Sequence, residues 1–142
     1  MIPLQMTTGP EPVQSVAVAC VHRGEVDAVP FDQLPMALRM DLRTRAPDLS
    51  PAGGPFNASD VGVGPRTRFI AAVHYKDRYI VAYEHGGRGY HVDLLTYDDS
   101  FADDAYAGPL ARHVVFDKPD CAALDAAITA PLPAMPYIGP NW

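Results

Sequence analysis

Lysine is almost missing from this chain and cysteine is scarce: Lys76 and Lys118 are the lysines, Cys20 and Cys121 the cysteines, among 142 residues. Two thiols are too few for a thiolate-only zinc site. Met1 to Pro12 has neither a positive start nor an apolar h-region, so no secretory signal is expected and the thiols are expected free rather than paired. Clustered positive charge is also lacking. The nine arginines are scattered and the net charge is −6, which leaves no positive stripe for phosphate binding; nucleic acid is not an expected partner. Apolar runs stop after a few residues, against the roughly 20 of a membrane-spanning helix, so no membrane is expected and the protein is read as soluble and cytoplasmic. Scarce lysine beside abundant alanine and aspartate is the usage of a GC-rich bacterial genome.

What is plentiful is proline (15) and glycine (11). Proline removes a backbone donor and glycine weakens regular elements, so short elements joined by long connections follow. With 48% hydrophobic residues the chain holds enough apolar mass for one core. A single domain over 1–142 is expected, with proline-rich extended ends at 1–12 and 131–142 and a long Pro/Gly-rich loop at 47–65, anchored by Phe56.

The most informative segment is RFIAAVHY, a Lys-Asp turn, RYIVAYEH, a glycine-rich turn, then YHVDLLTY. Three runs rich in Val, Ile, Tyr and Phe between turn residues predict a three-stranded antiparallel meander over about 67–97. Centring the second turn on Gly87-Arg88 places Glu84 opposite His91. Alternation then puts Phe69, Ala71, Val73, Ile80, Ala82 and Leu95 on one face, and Ile70, Ala72, Val81, Tyr83, Val92 and Leu94 on the other. Both faces are apolar at mid-strand, so both must be covered.

Around the meander, strands are predicted at Val13 to Val21, Glu25 to Val29 and near 112–116. A helix capped by Asp32 carries Leu34, Leu38 and Leu42 at helical spacing and ends by Pro47. A short helix is predicted between Ser100 and Gly108, and a last one follows Asp117 with Cys121, Leu124 and Ile128 on one side. The class is α+β: an antiparallel sheet built on the meander, with one or two N-terminal strands, a later strand and two or three short helices packed on it.

Three ionisable residues of the second hairpin, Glu84, His91 and Asp93, form the candidate catalytic group. A histidine flanked by carboxylates has the composition of a general base or of a divalent-metal site. Arg88 at the turn is the candidate anion holder, and Tyr83 and Tyr90 are candidate ligand-stacking residues on a strip with Tyr79, His74 and His85. The run Glu84-His85-Gly86-Gly87 is similar to the His-Gly-Gly oxyanion loop of lipases and esterases, a resemblance that implies glycine N–H groups facing an oxyanion. It spans about five residues, and no Gly-x-Ser-x-Gly elbow accompanies it. Cys20 and His22 share a strand face. Asp98, Asp99, Asp103 and Asp104 lack EF-hand spacing and suit a helix start.

No cofactor or dedicated metal site is expected. The first functional reading is a non-catalytic domain that binds another protein, as an adaptor, an inhibitor or immunity-like partner, or an accessory subunit, through its stiff proline-rich ends. The second is a small enzyme or metal-dependent protein using Glu84, His91 and Asp93. The third is a small-ligand carrier with a pocket between the meander and the 47–65 loop, lined by Phe56, Tyr83 and Tyr90.

Overall fold

The computed structural model describes residues 26–87, 89–99, 108–116 and 121–132, with backbone alone at 121, 122 and 124. Its centre is the expected meander: β2 (Thr67–Tyr75), β3 (Arg78–His85) and β4 (His91–Asp98). The Lys76-Asp77 turn joins the first two, with Lys76 at φ 53°. Two shorter strands, β1 (Val26–Ala28) and β5 (Ala111–Val115), extend the edges. The five strands lie in sequence order, all neighbours antiparallel, in an open sheet. With two α-helices, α1 (Met36–Arg45) and α2 (Cys121–Thr129), this is an α+β fold.

Both sheet faces are buried. Leu34, Leu38 and Leu42 pack with Phe69, Ala72, Val81, Tyr83, Leu95 and Tyr97 on the α1 side. Ile70, Ala71, Val73, Ile80, Ala82, Val92 and Leu94 pack with Ala123 and Ile128 on the α2 side. Two local shifts change which residues share a face. A β-bulge between Phe69 and Ala71 inserts Ile70 as an extra residue, so Phe69 turns to the α1 side while Ile70 and Ala71 both face α2. The glycine-rich turn also sets the β3–β4 ladder one residue from the expected register: Glu84 pairs with Val92, and His85 with His91. A one-residue shift moves a strand's side chains to the other face, and here it exchanges Val92 and Leu94 with Leu95.

The start of α1 also departs from expectation. Asp32 lies inside a separate 3-10 turn, Phe31–Gln33, and the residue capping α1 is Pro35. Proline disfavours helical backbone in the residue before it, and Leu34 sits at ψ 151°, which separates Asp32 from the helix. The three leucines still reach the core as their spacing requires. The short strand at 26–28 pairs with β2; its expected partner at Val13 to Val21, the helix after Ser100 and most of the C-terminal tail lie outside the described residues.

Candidate functional site

The register parts the predicted catalytic residues between the two faces. On the α2 side, Arg68 donates from Nε to Glu84 Oε2 at 2.6 Å and from Nη1 to the Gly54 carbonyl at 3.0 Å, while the Tyr90 hydroxyl donates to Glu84 Oε1 at 3.0 Å. Phe56 lies under the Arg68 guanidinium at 4.7 Å and meets Tyr90 edge to face. The ion pair is buried, with 4% and 2% of the two side chains exposed. Both carboxylate oxygens of Glu84 accept hydrogen bonds, and the group ties the 54–56 loop to the sheet. Phe56 thus anchors the loop as expected, and Tyr90 stands on the opposite face from Tyr83.

On the α1 side, fully buried Asp93 receives Arg112 through Nε and Nη2, both 2.8 Å from Oδ1. Its Oδ2 accepts no hydrogen bond, and His91 Nε2 stands 3.6 Å away, too far for one. His91 Nδ1 lies 2.9 Å from the Gly89 carbonyl, and because a carbonyl only accepts, that nitrogen is the donor. The His85 and His91 rings stack at 4.8 Å. Burial, then the neighbouring His91, holds the His85 imidazole below its ordinary pKa, while burial and the facing Asp93 push the Tyr83 phenol well up. Farther along this face the Tyr97 hydroxyl and Arg45 both donate to Asp41 Oδ2 of α1. Among the described residues, no group of three or more His, Cys, Asp or Glu side chains is placed to hold a metal ion. Arg88 lies outside the described residues.

The glycine turn is engaged by a neighbouring loop. Gly86 N donates to the Arg66 carbonyl at 2.7 Å and Gly87 N to the Ala58 carbonyl at 3.0 Å. These are the N–H groups that the likeness to an oxyanion loop would aim at substrate, and here both hold backbone. A Cβ on Gly86 would stand 2.3 Å from the Asn57 carbonyl oxygen, so glycine here serves the close approach of two backbones.

A cavity of about 480 Å³ opens beside the bulge of β2. Val29 N donates to the Ala72 carbonyl on one flank, and Ser50 bridges to Arg68 on the other, so the cavity lies where the β2 edge passes from one neighbour to the next. Its walls include Val29, Phe31, Leu49, Phe69 and Ile70. Among the described residues, those with polar side chains at its wall are Arg43 and Ser50; the Ser50 Oγ is itself buried and has no hydrogen-bond partner. This cavity separates the meander from the 47–65 loop, as a carrier requires, but it is not lined by Phe56, Tyr83 or Tyr90.

Comparison with known protein families, curated proteins and solved structures finds no match.

The chemistry open to these groups follows from their exposure. Glu84, His91 and Asp93 are 2%, 3% and 0% exposed, so a general base among them has no contact with a molecule in solvent. Arg43, by contrast, is exposed and lines open space. Sequence reasoning missed Arg68, Arg112, Arg43 and Ser50. For the first two a signal existed: an arginine at the start of an apolar strand run needs a carboxylate on the adjoining strand if the run is buried. For Ser50 and Arg43 none did, because the cavity is lined by segments far apart in sequence, α1, the 49–52 loop and β2.

Proposed function

We propose that this chain is a non-catalytic binding domain that takes an apolar small molecule into the cavity beside the β2 bulge. The observation that carries the reading is the cavity itself: about 480 Å³, apolar walls and, among the described residues that line it, one cation. Small-molecule sites have this make-up and fall in the range of roughly 300–1,000 Å³. The burial of Glu84, His91 and Asp93 supports the non-catalytic half of the proposal. An anilinonaphthalene sulfonate titration tests it. One saturable site is expected, lost in Ala52→Trp, which places an indole from an exposed lining residue across the cavity without touching the core. No saturable binding by the parent protein, or equal binding by the variant, would sink the reading.

Protein binding, the first reading of the sequence, has its own support in the 57–66 loop. Asn57 Nδ2 donates to the carbonyls of Val61 and Val63 at 2.8 and 3.0 Å, and Arg66 donates to those of Ser59 and Gly62 at 2.9 and 3.0 Å. The loop is held in shape while Val61 and Val63 stay 71% and 93% exposed. A pre-ordered apolar loop gives up little entropy on docking. Under this reading a stoichiometric protein co-purifies with the parent chain and is lost from Val61→Ser/Val63→Ser. A chain that purifies alone argues against it.

A further inference from the structure

We propose that the cavity beside the β2 bulge selects apolar carboxylic acids, with Arg43 at the rim pairing with the ligand's carboxylate; this rests on the small-ligand reading above. Charge makes the first step. The protein as a whole carries −6, yet among the described residues no acidic one lines the cavity and the one charged lining side chain is an arginine. A cationic ligand would meet no counter-charge there, whereas an anionic one meets a guanidinium whose forked donors match a carboxylate.

The placement of Arg43 makes the second. It projects from α1 with its guanidinium over the Phe31 ring at 5.1 Å, and Phe31 meets Phe69 edge to face at 5.3 Å. All three residues line the cavity. Among the described residues no carboxylate pairs with Arg43, although Arg45, Arg68 and Arg112 each have one. The ring under the guanidinium orients the cation at the edge of the apolar walls, where the head of an amphipathic acid would lie once its tail is inside.

Apolar walls with a cation at their edge together describe a medium-chain or aryl carboxylic acid.

Three probes of equal chain length provide the test: octanoate, 1-octanol and octylamine, followed by the amide shifts of Phe69, Ile70 and Ala71. Octanoate is expected to bind about fivefold tighter than octanol, the size of an exposed ion pair, and octylamine most weakly. In Arg43→Gln that preference should vanish while octanol binding persists, and in the parent it should shrink at high salt. Equal affinities for octanoate and octanol, or a preference that survives Arg43→Gln, would overturn the assignment and leave the cavity reading standing. Absence of shifts with all three probes would remove both.

Discussion

At the scale of single residues, the Arg68–Glu84 pair is a buried commitment of this fold. Two opposite charges share a site almost closed to water, held by a 2.6 Å contact and by further bonds to Tyr90 and the Gly54 carbonyl. Removing one member leaves the other charged and buried, which is far costlier than exchanging the whole pair for apolar groups. Glu84→Gln should therefore destabilise the protein by about 3 kcal/mol or more in urea denaturation, with Arg68→Met in the same chain restoring part of the loss. A change under about 1 kcal/mol would mean that the pair contributes no more than a surface bridge. The role was only half legible. That Glu84, His91 and Asp93 matter could be read from ionisable residues interrupting apolar runs. Their grouping could not, because one residue in the length of a glycine turn decides whether Glu84 faces His91 or Val92.

At the scale of elements, the runs that alternate Val, Ile, Tyr and Phe gave away β2, β3 and β4, and the leucine spacing gave away α1, because burial acts directly on those patterns. The elements hardest to read were those set by another segment. Nothing in RFIAAV marks Ile70 as an extra residue; the bulge is a property of the pair of strands, and its consequence is the face change at Phe69, one of the residues lining the cavity. Gly86 makes the same point from the opposite direction. Its local motif resembles an anion-binding loop, but the partner that requires a glycine there is the backbone of Asn57 and Ala58, nearly thirty residues earlier in the chain. Local sequence specifies that a glycine is needed without saying what will approach it.

At the scale of the whole molecule, an antiparallel sheet clothed on both faces keeps its titratable groups in unlike surroundings, and acid should find them in sequence. His85 is the first. Burial, then the adjoining His91, lowers its folded pKa beneath the 6.5 of the unfolded chain. Just under that pH the unfolded state binds a proton that the folded state refuses, so each step of acidification favours unfolding until the folded-state pKa is passed. Asp48 responds later. Burial alone would raise its carboxyl, but hydrogen bonds from Arg66 N–H and the Thr67 hydroxyl prevail and hold it below 3.8, so its contribution is lost only under more acidic conditions. Urea midpoints between about pH 7.5 and 5 therefore isolate the imidazole from the carboxylates. The parent protein should lose stability across that interval more steeply than His85→Gln; because His91 stacks on His85 and contributes to its shift, the difference reports the histidine pair as a unit. Parallel curves for the two proteins would place the acid sensitivity elsewhere, and a steeper loss in His85→Gln than in the parent would reverse the sign assigned to His85.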